Sequence, residues 1–145
     1  MVFILMELVN GDLIHYFGNL FIDKMLVYIM IQYKKRIPFE TRKSESGRML
    51  EKYKDKIPIV VEKNYKLAIN PDIDKSKYLV PYDLSFGEFL QVIRKRTKID
   101  PNQALFAFVD NKLPCTNDIM INIYKNHADD DGFLYIIYSM ENTFG

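Results

Sequence analysis

Ile57-Pro58-Ile59-Val60-Val61-Glu62-Lys63, then Lys77-Tyr78-Leu79-Val80-Pro81, then Ser85-Phe86-Gly87-Glu88 are the three stretches that decide the fold class. The first is a strand by composition, because β-branched side chains pack well on a pleated surface. The second is a shorter strand. Pro81 has no N–H to give to a ladder, so this strand ends there or lies at a sheet edge. Between the two, Asn64 to Asp74 is a loop punctuated by Asn70-Pro71-Asp72. The third stretch opens a helix, with Ser85 as N-cap and Glu88 three residues on, the form of a capping box. Phe86, Phe89, Leu90 and Ile93 make its buried stripe. Arg94-Lys95-Arg96 complements the negative end of its dipole.

Downstream, Ala104 to Asp110 (ALFAFVD) reads as a strand followed by an Asp110-Asn111-Lys112 turn. Thr116 or Asn117 caps a further helix through Tyr124. Asp129-Asp130-Asp131-Gly132 is expected to be a solvated loop. It lacks the ligand spacing of an EF-hand. Phe133 to Ser139 (FLYIIYS) is the most apolar strand and is expected to be central. Upstream, Ile37-Pro38-Phe39 is an extended break. Ser44 through Lys56 is helix-like, with Met49, Leu50 and Tyr53 in one apolar stripe. The order is helix, strand, strand, helix, strand, helix, strand, tail. It describes an α+β fold with helices on one face of a mixed sheet, a β-grasp with additional helix in front.

The 145 residues suit one core, and 48% of them are hydrophobic. The one cysteine, Cys115, excludes an intramolecular disulfide and a Cys-rich zinc site. Neither His15 nor His127 has the context of a base partner for it, so it is read as a loop or core residue. No metal-spaced His/Cys/Asp set, phosphate-cradling loop or nucleophile–base pair is visible, so no catalytic residue and no metal ligand is expected. The net charge of +1 hides an asymmetry. Residues 30–98 carry seventeen Lys and Arg against nine Asp and Glu, residues 99–145 two against seven. The basic half is interleaved with acids and has no nucleic-acid signature, so no nucleic acid is expected as a partner. The apolar first segment, 1–29, lacks a cationic n-region and is broken by Asn10-Gly11-Asp12 and Asp23-Lys24. It is a poor secretory signal and a poor membrane span, and is read either as an N-terminal extension or as a mis-assigned start ahead of a domain beginning at Met30.

From about Met30 to Gly145 the sequence resembles the autophagy-related ubiquitin-like modifiers, the group that includes GABARAP and the microtubule-associated light-chain relatives. The strings that carry it are Pro38-Phe39-Glu40 with Arg42, Ser44 and Glu45; YKDKIPIVVEK at 53–63; KYLVP at 77–81 with Asp83-Leu84; Ile93-Arg94-Lys95-Arg96; Ala104-Leu105-Phe106; and Phe133 to Ile136 with Tyr138-Ser139. In this order they span some four-fifths of the chain. The resemblance implies a ubiquitin-like β-grasp over residues 30–139 and a flexible tail, 140–145, ending in a conjugation glycine.

Family members join that glycine to the amino group of phosphatidylethanolamine. The route is adenylation by ATP, then thioesters on an activating and a conjugating enzyme, with a cysteine protease for removal. The chain itself is thus expected to be a substrate, not an enzyme, and to hold no cofactor. Gly145 is the expected lipid-conjugation residue. A residue without Cβ threads a narrow catalytic channel freely, and with nothing after Gly145 no priming cleavage is expected. The free form is expected in the cytoplasm, and the lipidated form on autophagosomal or plastid-type organelle membranes.

The family also binds aromatic-x-x-aliphatic peptides of receptors and adaptors by adding a strand to a sheet edge. By resemblance the aromatic pocket is Glu45, Met49, Pro58, Lys77, Leu79 and Phe133. The aliphatic pocket is Tyr78, Val80, Pro81, Leu84, Phe89 and Val92. Lys75, Lys77 and Arg96 would attract flanking acids. Phe89, Val92 and Leu84 are equally readable as core. Met49 replaces a branched aliphatic, Val92 is smaller than the usual leucine, and Gly132 stands where a bulky aromatic is frequent. The alternative is an adaptor of peptides or microtubules that is never conjugated.

Overall fold

The computed structural model describes residues 7–9, 12–15, 32–66 and 70–142. The chain divides into two compact units, 1–39 and 40–145. Within the first, strands β1 (Glu7–Val9) and β2 (Asp12–His15) form an antiparallel pair, and Tyr33–Arg36 forms the short helix α1. Extended Ile37 ends α1.

Helix α2 (Phe39–Lys52) leads into the second unit. It begins and ends earlier than the 44–56 helix read from the sequence. Pro38 is the reason for the early start, since a residue without N–H fits just ahead of a helix whose first donors have no partner inside it. The expected apolar stripe is also displaced. Met49, Leu50 and Tyr53 are only half-buried, and the buried residues of α2 are the polar pair Arg42 and Ser46.

Four strands form the main sheet: β3 (Lys56–Lys63), β4 (Lys77–Pro81), β5 (Phe106–Phe108) and β6 (Leu134–Ser139), in the order β4-β3-β6-β5. β4 runs antiparallel to β3, β6 parallel to β3, and β5 antiparallel to β6. The strand read as most apolar is therefore central, and KYLVP lies at an edge. β6 reaches β3 only from Ile59, so Pro58 sits where β3 is flanked by β4 alone. β5 is shorter than ALFAFVD suggested. After Val109, Asp110 and Asn111 take positive φ (49° and 61°) in a tight turn that bridges Val109 to Lys112.

Helix α3 (Phe86–Thr97) carries the full capping box, with Ser85 and Glu88 bonding each other's backbone N–H. These bonds hold the fully exposed Glu88 carboxylate below its ordinary pKa, and such a cap stabilises a helix by about 1 kcal/mol. Helix α4 (Met120–His127) has no side-chain cap, contrary to the reading of Thr116 or Asn117. Its first N–H groups are taken by tertiary partners instead: Met120 donates to the Leu84 carbonyl at 2.8 Å and Ile121 to the Tyr82 carbonyl at 2.9 Å.

Phe86, Phe89 and Ile93 of α3 and Met120 and Ile123 of α4 share one core with Ile57, Ile59, Val61, Tyr78, Val80, Leu134, Ile136 and Tyr138. By strand alternation, Lys77 and Tyr135 face the other way, and both bond to α2. Helices thus cover both faces of the sheet, not one face as the element order suggested.

Candidate functional site

β4 pairs with β3 on one side and, among the described residues, with no strand on the other. Among the described residues, β4 is therefore an edge strand of the sheet. Alternation then sorts its side chains between two surfaces. Tyr78 and Val80 go down into the core beside Phe89, where the Tyr78 and Phe89 rings meet edge-on at 5.6 Å. Lys77 and Leu79 go to the α2 side, opposite Val60 and Pro58 of β3. There Lys77 Nζ donates to Glu45 Oε1 at 2.6 Å, an ion pair across the cleft between α2 and β4.

On the α2 side, Glu45, Met49, Lys77 and Leu79 keep partly open surface, while Pro58 is buried and Phe133 has none exposed. On the α3 side, Leu84 and Val92 are half-buried against the core and Phe89 has none exposed, whereas Pro81, exposed at the end of β4, falls with Lys77 and Leu79 in the alternation. Pro81 apart, the structure therefore brings the two predicted sets to opposite faces of one edge strand. Phe89 and Phe133 act as floor, and an entering side chain reaches them only if their neighbours move. The cations are partly committed already. Lys77 holds Glu45, Arg96 Nη1 lies 3.6 Å from Asp74 Oδ2, and Lys75 Nζ sits 5.6 Å from the centre of the Tyr78 ring. Gly145 lies outside the described residues.

Burial pushes the Tyr78 phenol up to about 12, and its hydroxyl has no hydrogen-bond partner among the described residues. An orphaned buried hydroxyl costs about 1–3 kcal/mol. Tyr78→Phe is therefore expected to leave the melting temperature unchanged or raise it. A clear fall would show that the hydroxyl has a partner in solution. The raised pKa has a definite sign. The neutral phenol's contribution is complete below the unfolded value of about 10 and is lost as pH climbs toward 12.

A buried network that the sequence reading missed sets the position of α2. Asp131 is fully buried, not solvated. Its carboxylate accepts from Arg42 Nη1, from the Tyr135 hydroxyl and from the Phe133 N–H at 2.8 Å. Ser46 Oγ donates to its carbonyl. Burial alone would lower the Arg42 pKa, but its bonds to Tyr135 and Asp131 outweigh that and hold it raised. Burial, reinforced by Asp131, pushes the Tyr135 phenol far up. Arg42 and Ser46, four residues apart on one helix face, were the available signal, since a cation there needs an acid to face. Among the described residues, no group of His, Cys, Asp and Glu could hold a metal ion.

The family model described as "Autophagy protein Atg8 ubiquitin like" matches residues 41–145. The chain belongs to the Atg8 family. It is 57% identical over 107 residues to autophagy-related protein 8e of Arabidopsis thaliana, covering 74% of this chain and 87% of that one. It is 55% identical over 114 residues to autophagy-related protein 8 of Coccidioides immitis, covering 79% and 97%. The crystal structure of Trypanosoma brucei ATG8 superposes with a TM-score of 0.67 at 38% identity, covering 74% of this chain and 92% of that one. The fold is thus the ubiquitin-like β-grasp of Atg8 proteins, and the chain is a ubiquitin-like protein of autophagy. Every predicted site residue, from Glu45 to Gly145, lies inside the Atg8-matched region. No described helix is long and apolar enough to cross a membrane.

Proposed function

We propose that this Atg8-family chain is a lipid-conjugated adaptor. Its Gly145 carboxylate is joined to the amine of phosphatidylethanolamine, and its β4 edge selects aromatic-x-x-aliphatic peptides. The observation that carries the reading is that, among the described residues, no strand pairs with the outer side of β4, which has Lys77 and Leu79 on one face and Tyr78 and Val80 on the other. A peptide strand laid on that edge presents alternate side chains to both faces. The Glu45–Lys77 pair lies across the α2 side. An acidic peptide flank would have to compete with Glu45 for Lys77 and with Asp74 for Arg96. The Arg96–Asp74 pair is exposed and worth about 0–1 kcal/mol, while the Glu45–Lys77 pair is part-buried and the harder of the two to displace.

The attachment runs through an activated acyl group. ATP converts the carboxylate to an acyl adenylate, releasing pyrophosphate. The activating enzyme's thiolate displaces AMP, and the acyl group passes to the conjugating enzyme's cysteine. The lipid amine then attacks the thioester carbonyl; the C–N bond forms, the C–S bond breaks and the thiol is released. A cysteine protease of the family reverses the link. The free chain would be cytoplasmic, and the conjugate would sit on autophagosomal or related organelle membranes.

The test is reconstitution with the family's activating and conjugating enzymes, ATP and phosphatidylethanolamine vesicles. A lipid-linked product that is lost in Gly145→Ala is expected. No product from the wild type, under conditions that modify a known relative, sinks the conjugation reading and leaves an unconjugated peptide-binding adaptor.

A further inference from the structure

Parallel pairing of β3 with β6 places their C-terminal ends side by side, Lys63 opposite Tyr138. The loop that leaves β3 uses this closeness to grip the end of β6. Asn70 is 3% exposed. Its Nδ2 donates to the Asn64 carbonyl at 2.8 Å, and its Oδ1 accepts from the Met140 N–H at 2.8 Å. Ser139 Oγ stands 3.4 Å from the same oxygen. The Tyr138 hydroxyl donates to the Pro71 carbonyl, and the Asn64 N–H donates to the Tyr138 carbonyl at 2.8 Å. Residues 138, 139 and 140 are all tied to one loop, and one buried amide is the knot. In the sheet order β6 lies on the far side of β3 from β4, while the gripping loop itself runs on into β4, so the peptide edge has to be measured beside the transfer.

Met140 is where the tail is rooted, and residues 141–145 link it to the Gly145 carboxylate. An extended chain spans at most about 3.3–3.6 Å per residue, so the Gly145 carboxylate stays within roughly 17 Å of Met140. On so short a tether, the position and direction of the root decide where the carboxylate goes once an enzyme holds the domain. Loosening the root lengthens the tether and dilutes the reacting group at its target. Small misplacements of reacting groups are costly to rate.

We infer that Asn70 is a positioning residue for the transfer of Gly145, fixing the point from which the tail reaches the conjugating enzyme. This rests on the conjugation reading above. The experiment uses the full chain, charged onto the conjugating enzyme and then mixed with vesicles of phosphatidylethanolamine and phosphatidylcholine. Single-turnover discharge is measured beside the Kd of an aromatic-x-x-aliphatic peptide. Asn70→Ala is expected to discharge roughly three- to tenfold more slowly, with peptide affinity within about twofold of wild type. A Gly-Gly insertion after Met140 loosens the root without touching the core and should reproduce the defect. Wild-type discharge rates in Asn70→Ala or in the insertion variant overturn the inference, as does a slowing matched by lost peptide binding. A wild-type chain that is never charged overturns the conjugation reading itself, and this inference with it.

Discussion

Replacing Arg42 with methionine is expected to destabilise the domain by about 3–5 kcal/mol, the cost of stranding a buried charge. Asp131 has no exposed surface, and Arg42 is its cationic partner. Methionine keeps the stem's volume but removes the charge, leaving a carboxylate in a site of low polarisability with only the Tyr135 hydroxyl and the Phe133 N–H to hold it. The check is urea unfolding at neutral pH, read as a lower midpoint at unchanged slope. Adding Asp131→Asn to the same chain removes the stranded charge but still offers an oxygen to Phe133. The double variant should therefore be more stable than Arg42→Met alone. If the two substitutions simply add, the pair is not coupled as its geometry requires. Because Arg42 and Glu45 ride on the same helix, the Arg42→Met chain should also bind peptide more weakly than its folded fraction predicts.

Gly132→Ala is the second large effect, about 2–5 kcal/mol of destabilisation. Two costs combine. Gly132 has φ of +91°, a conformation that L side chains rarely adopt, at about 1–2 kcal/mol. A Cβ there would also collide with Ser46 Oγ, the atom that bonds the Asp131 carbonyl, at about 1–3 kcal/mol for overpacking. The two are separable by thermal or urea melts. Ser46→Gly in the Gly132→Ala background opens the space and should recover the steric part, leaving the backbone part. An alanine chain as stable as wild type would mean that α2 does not approach this loop closely. The same geometry gives a reason for glycine at a position where a bulky aromatic is frequent in the family: a Cβ would meet Ser46 Oγ.

Both predictions concern what the sequence concealed. The strand at 56–63, the edge strand at 77–81 and the capped helix from Ser85 were legible because each is announced by its own residues: β-branched runs, a proline that cannot donate, a Ser and Glu at capping distance. The central place of β6 followed from its apolar composition. The division of β4 between two faces followed from its period of two. The start of α4 was misread because its first donors are met by the carbonyls of Leu84 and Tyr82, far back in the chain, and not by a neighbouring Thr or Asn. The Asp129–Asp131 run was misread because three successive acids look like surface. Only one of them is drawn wholly inside, by an arginine 89 positions away.

By itself, the sequence determined the four strands of the main sheet, the capped helix from Ser85, the order of these elements and, through its resemblance, the family. These rest on local propensities and on periodicities that a short window contains. The tertiary structure alone decided which charges are buried, how α2 is fastened over the sheet, and that Asn70 holds the root of the tail bearing Gly145. Those are pairings between residues some 70 to 90 positions apart. Their partners are chosen by which chain segments the closed sheet brings together, and no local pattern encodes that choice.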